Sequence, residues 1–339
     1  MKNFIAQNKI PLLFLSGFIS AVIIISLVLF ISKELNVTDT TSTTASNTIT
    51  VTETSTANPT TITPTSITNS TTPTTTRIIS KILPLGDGKY SSAGAKKGYI
   101  YVCNANFNGS GAFKDGSWIT GTTWDPTKKI AVQGDVKWPT ANITITVNGI
   151  NRVITTNDLP TTHNTGVFPI SASDPAYQFD HNPNKIAAQN KTFTLPANPT
   201  LAATPQCIFG MVGVMLDGVI LFDGLDAGGR DAAAHEVQDK CSGHPEKTSA
   251  YHYHSLSDCI TDGKTNKLIG YAFDGFGIYG YLDNNGTQII SDDLDECHGT
   301  TSLVNWDGKQ VNMYHYVMTQ DYPYSIGCFK GASKEPRPM

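Results

Sequence analysis

The chain predicts a mainly β fold: a β-rich ectodomain containing two related repeat units, behind one N-terminal transmembrane helix. Three observations predict it. An uncharged run of 22 residues lies near the N-terminus, short β-like segments punctuated by Asn-Gly and Asp-Gly fill the chain beyond residue 78, and one strand–turn–cysteine–tyrosine–histidine pattern occurs there twice.

The uncharged run is Pro11–Ser32, PLLFLSGFISAVIIISLVLFIS, and Lys2 and Lys9 precede it. A helix of that length spans a bilayer. A cleaved signal peptide has a shorter apolar region and a small-x-small cleavage site, whereas Lys33-Glu34-Leu35 follows here. The expectation is an uncleaved signal anchor at 11–32 with a cytoplasmic tail at 1–10. The basic residues before the span place everything after it outside the cell, as a single-pass cell-membrane protein. Residues 33–77 are dominated by Thr, Ser, Pro and Asn with no large aromatic residue, a composition that cannot bury enough apolar surface to offset chain entropy. They read as a disordered, low-complexity stalk. Sequons such as Asn69-Ser-Thr, Asn142-Ile-Thr and Asn285-Gly-Thr fit a glycoprotein.

From residue 78 to 339 the composition becomes that of a globular domain, and all 4 Trp, all 13 Tyr and all 6 Cys lie there. The formal net charge of −4 supplies no basic surface, which argues against nucleic acid as a partner. Strand signals fall at 98–103, 143–149, 152–156, 209–224, 268–281 and 311–318, and the one helical signal is the short stretch 231–240, DAAAHEVQDK. The repeat sits inside this domain. MLDGVILF at 215–222 matches AFDGFGIY at 272–279, and Asp239-Lys-Cys241 matches Asp295-Glu-Cys297. Tyr251-His252-Tyr253-His254 is echoed by Tyr314-His315-Tyr316-Val317, and each copy is followed by a cysteine, Cys259 or Cys328. The repeat units therefore run from about 209 to 259 and from about 268 to 328.

These residues resemble the YHYH domain proteins. The resemblance rests on GYIYVCNANF, HNTGVFPI, DPAYQFDHNPN, AYHYH, GYAFDGFGIYG and DYPYSIGCFKG, and it covers nearly the whole region after the stalk. It implies an extracytoplasmic domain. The second copy departs from the doubled motif at Val317, where a second histidine would stand.

On a strand, residues i and i+2 share a face, so His252 and His254 project together while Tyr251 and Tyr253 project oppositely. Two aligned imidazoles can share a metal ion, and the candidate set is His252, His254, His315 and His244 with Asp274, placed in one pocket between the repeats. Imidazole ligands favour copper or zinc, bound less tightly as pH drops through about 6.5, the ordinary His pKa. The alternative is a metal-free polar network in which the imidazoles bond Asp217 or Asp274. Calcium is a lesser candidate, through loop carboxylates at Asp283, Asp292-Asp293 and Asp295-Glu296. No Gly-x-Ser-x-Gly elbow occurs, and Ala234-His235-Glu236 supplies only half of a His-Glu-x-x-His zinc signature, so no motif supports an enzyme.

Six cysteines in an exported domain imply a disulfide framework. If each unit closes its own loop, the pairs are Cys241–Cys259 and Cys297–Cys328, leaving Cys103–Cys207. The competing possibility makes Cys241 or Cys297 a thiolate ligand beside His244 or His298. Three functions remain open: a membrane-anchored surface module that binds copper or zinc; a structural or adhesive domain recognising a cell-surface protein or glycan through aromatics such as Trp118, Trp124 and Trp138; and an extracellular metal-dependent enzyme.

Overall fold

The computed structural model describes residues 81–109 and 111–332. The expected tail, anchor and stalk lie outside them. Among the described residues no helix is long and apolar enough to cross a membrane.

The region is β-rich, and its centre is one eight-stranded sheet. Its strands in chain order are β1 (Met211–Met215), β2 (Ile220–Phe222), β3 (Gly243–Pro245), β4 (Tyr251–Tyr253), β5 (Leu268–Ala272), β6 (Gly277–Tyr279), β7 (Gly299–Trp306) and β8 (Lys309–Val317). Across the sheet they stand as β3-β4-β2-β1-β5-β6-β8-β7. Both halves have one pairing scheme: an antiparallel hairpin (β1–β2, β5–β6), a parallel neighbour reached by a crossover (β4, β8), and an antiparallel outer strand supplied by that crossover (β3, β7). The halves meet antiparallel at β1–β5, with Val214 opposite Tyr271, Gly213 opposite Ala272 and Met215 opposite Gly270. The seam needs its glycines: a Cβ on Gly213 would lie 2.8 Å from the Tyr271 carbonyl oxygen, and one on Gly270 2.9 Å from that of Val214.

Each hairpin turns at an Asp-Gly pair. Gly218 and Gly275 take φ of +96° and +95°, in the left-handed region that favours glycine, while Asp217 and Asp274 accept hydrogen bonds from the backbone N–H groups of Val219 (3.1 Å) and Phe276 (3.2 Å). The turn dipeptides read from the sequence therefore carry the hairpins. The long apolar stretches at 209–224 and 268–281 split into two strands each for the same reason.

A three-stranded antiparallel sheet (Ile143–Asn148, Asn151–Thr156 and Lys191–Pro196) is tied to the central sheet through Arg152. That side chain is 2% exposed, lies over the rings of Tyr271 (4.5 Å) and Trp306 (4.8 Å), and pairs with Asp307 at 2.8 Å. The segment DAAAHEVQDK forms only one turn of helix, α1 (Ala232–His235), capped by Asp231, whose carboxylate accepts from the Ala234 N–H at 3.2 Å. Beyond His235 the chain is extended, because its polar groups are taken by other segments: the Val237 N–H reaches Asp180 at 3.3 Å.

Trp118 and Trp124 are core residues, 3% and 5% exposed, and the Trp118 indole N–H donates to the Ala234 carbonyl at 2.8 Å. They are unavailable as recognition aromatics. Trp138 is half-buried and donates to Thr165. The disulfides are Cys103–Cys207, Cys241–Cys259 and Cys297–Cys328, so none of the six sulfurs is a thiolate that could hold a metal.

Candidate metal centre

Strands β3 and β4 build the site by register. His244 on β3 stands directly opposite His252 on β4, and His254 follows two residues after His252 on the same face. The three rings converge, with potential ligand atoms all within 4.8 Å of one another. All three residues are at most 4% exposed. Glu236, just past the end of α1, completes the group: its Oε2 lies 3.3 Å from Nε2 of His244 and 3.3 Å from Nε2 of His254. These approaches are too poorly aligned to be hydrogen bonds, so Glu236 Oε2 and both ring nitrogens of His244 have no hydrogen-bond partner among the described residues.

The tautomers follow from the partners. His252 Nδ1 faces the Ala250 carbonyl at 3.3 Å and His254 Nδ1 faces the Asp223 carbonyl at 2.5 Å. A carbonyl only accepts, so each neutral ring carries its proton on Nδ1 and presents a lone pair at Nε2. Those two Nε2 atoms face each other at 3.0 Å. Burial holds the His252 and His254 pKa values down to about 4 and about 3, and drives that of His244 well below the ordinary range. At neutral pH all three rings are therefore neutral donors, and two lone pairs meet with no proton between them. Burial likewise raises the Glu236 carboxyl well above its ordinary range.

Nearby groups fix this arrangement. Phe222 packs on His252 with centroids 4.1 Å apart. Lys129 is half-buried, donates to the Ala233 carbonyl and to Gln238, and has its pKa lowered by desolvation to about 8. The opposite face of β4 explains the tyrosines of the motif. The Tyr251 hydroxyl donates to Asp239 (2.9 Å) and that of Tyr253 to Asp217 (2.8 Å), the aspartate of the first hairpin turn. The second half repeats this: Tyr314 donates to Asp295 (3.1 Å), and Tyr316 to Asp274 (2.5 Å). Asp217 and Asp274 thus bond tyrosines and are not the carboxylate partners of these imidazoles; the buried carboxylate beside them is Glu236.

His315 and Asp274 do not join His252 and His254. His315 sits on β8 against Tyr279, and Asp274 is occupied by Tyr316 and the Gly331 N–H. The physical reason is the seam: the halves lie edge to edge, so β4 and β8 are five strand spacings apart, roughly 24 Å. No pocket between halves can gather both. In the second half the positions of His244, His252 and His254 are held by Thr300, opposite His315 in the β7–β8 register, then His315 itself and Val317. His298 lies elsewhere, bonded to Thr319 at 3.0 Å. The second grouping of metal-ligating residue types, His163 with Cys241 and Cys259, contains a disulfide rather than thiolates. Of the carboxylates considered for calcium, Asp283 accepts from the Asn285 and Thr287 N–H groups, Asp293 from Ile290, and Asp295 from Cys297 and Gly299, while Glu296 pairs with Lys330.

Glu236 was missed from sequence because its only signal, the half-signature His235-Glu236, suggests a helix on which both would act together. In the fold they part company. His235 turns to Asp115 (2.8 Å) and Asp87 (3.0 Å), while Glu236 turns to the histidines.

Neither a curated protein nor a solved structure matches the chain. The family model described as YHYH protein matches residues 192–291, which hold β1 to β6 and all four converging donors, and over that segment the chain carries a YHYH domain.

Proposed function

We propose that this domain is a cell-surface metal-binding module in which His244, His252, His254 and Glu236 hold one copper or zinc ion. The observation that carries the reading is the pair of Nε2 lone pairs facing each other at 3.0 Å in a buried setting, beside a carboxylate oxygen and an imidazole without hydrogen-bond partners. Buried polar atoms left so are destabilising, and one cation would answer the two facing Nε2 atoms, Glu236 Oε2 and one ring nitrogen of His244. Donors about 2.0–2.1 Å from a tetrahedral ion stand about 3.3 Å apart, close to the 3.0 Å and 3.3 Å spacings here. Imidazole donors favour copper and zinc, and Glu236 adds a hard oxygen that suits their divalent forms.

The two halves of the sheet read as two related units, of which only the first keeps the donors. The uncharged run 11–32 and the Thr-rich stretch after it support a membrane tether that holds the domain outside the cell, where its disulfides persist.

The test is metal content of the purified full-length chain after exposure to zinc or copper at pH 7.5. The expected result is about one ion per chain, lost in the variant combining His252→Ala with His254→Ala, and bound at least about tenfold more weakly in Glu236→Gln. His315→Ala should retain the ion. A wild type that holds no metal, or a double variant that holds as much, would refute the reading.

A further inference from the structure

The three-stranded sheet has an open edge. Its outer strand, Ile143–Asn148, pairs with Asn151–Thr156 and with no other described strand. The Asn157 N–H donates to the Asn142 carbonyl at 3.3 Å, and the hairpin closes with Asn148 opposite Asn151. Hydrogen-bonded pairs alternate along an antiparallel ladder, so Thr144, Thr146 and Asn148 bond inward. The N–H and C=O groups of Ile143, Ile145 and Val147 therefore point out of the edge.

The comparable edges are guarded. At β7 the outward carbonyls of Leu303 and Asn305 accept from the Asn284 amide (2.9 Å) and the Tyr279 hydroxyl (2.8 Å). Strand β3 ends in Pro245, and the far strand of the three-stranded sheet begins with Lys191 and ends in Pro196. The strand ITITVN has no charge, no proline and no bulge, and all but its last residue are β-branched. Ile143, Ile145 and Val147 share the face of Arg152, Ile154 and Thr156, which is the buried face of the neighbouring strand. Yet Val147 is 54% exposed and the two isoleucines are only half-buried. The inward face thus runs past the core that covers it.

We infer that this edge pairs with the same edge of a second copy of the chain, antiparallel about a two-fold axis at Ile145, so that two three-stranded sheets join into one. In that register Ile145 meets its own counterpart and Ile143 meets Val147. These residues exchange the outward backbone groups, and their β-branched side chains cover the half-buried face from both sides. The second copy fits because the strand is complementary to itself in charge: the two-fold sets Thr144 against Thr146 and Asn142 against Asn148, and no like charges oppose one another. The inference does not depend on the metal reading.

The experiment is sedimentation of the full-length chain in detergent, made in a host without N-linked glycosylation because Asn142-Ile-Thr is a sequon. The wild type should be a dimer. Thr144 and Thr146 are exposed on the outer face, so both positions accept charged side chains. The variant combining Thr144→Lys with Thr146→Lys sets like charges against each other across the two-fold and should weaken dimerisation at least about tenfold. The variant combining Thr144→Glu with Thr146→Lys sets opposite charges there and should dimerise at least as tightly as the wild type. A wild type that sediments as a monomer, or two variants that dimerise alike, overturns the inference.

Discussion

Tyr251 and Tyr253 show why the alternation of the motif is not redundancy. One face of β4 carries imidazoles to a cavity while the other locks two aspartates, and a strand does both because successive side chains point oppositely. That much was legible in the sequence: the i, i+2 spacing of His252 and His254 sets their shared face. What was not legible is the partner of each face, since hydrogen-bond partners such as Asp239 come from segments whose approach no spacing encodes. His298 offers a pH test away from the proposed metal site. It is buried with φ +68°, and desolvation lowers its pKa to about 3 against about 6.5 in an unfolded chain. The unfolded state therefore takes up the proton first. The stability His298 contributes is complete above about pH 6.5 and is lost as pH falls from there towards 3. His298→Asn suits the left-handed backbone and removes the titration. Between pH 7 and pH 4 the wild type should lose on the order of 3 kcal/mol more stability than the variant in denaturant titrations. Parallel losses in the two proteins would rule the assignment out.

The hairpins at 209–224 and 268–281 were readable as elements, since apolar runs broken by Asp-Gly admit few other structures. The outer strand β7 (Gly299–Trp306) was not, because its inward face begins with the polar Thr300 and Ser302 while an apolar residue, Leu303, stands on the exposed face, so the apolar alternation is blurred. Nor was the edge-to-edge seam, and that omission put His315 in the wrong place: a repeat in sequence says that two units are alike, while their relative position depends on which strands meet. Here the meeting is narrow. Gly213 and Gly270 hold the β1–β5 contact at a separation that a side chain would violate. Gly270→Val should destabilise the domain by about 1–3 kcal/mol through overpacking against a backbone carbonyl that cannot rotate away. A thermal melt unchanged by the substitution would show that the seam can widen freely.

Across the whole domain, the three disulfides close loops of very different size. Cys103–Cys207 spans 104 residues, against 18 and 31 for the other two. In the chain-entropy model it contributes about 4.7 kcal/mol, against roughly 3–4 kcal/mol for each short loop. Replacing Cys103 and Cys207 with serine should therefore lower the denaturant midpoint more than removing either of the other pairs; the reverse order would count against that accounting. Cys241–Cys259 has a different significance, because it overlaps the proposed metal donors. Glu236, His244, His252 and His254 all fall within one 19-residue stretch, on the crossover from β2 and at the end of β4. Synthesis runs from the N-terminus, so every donor is made before the chain reaches β5. An ion could then be captured by a half-made polypeptide, and loading would be an early step of biogenesis that does not wait for the second half of the sheet.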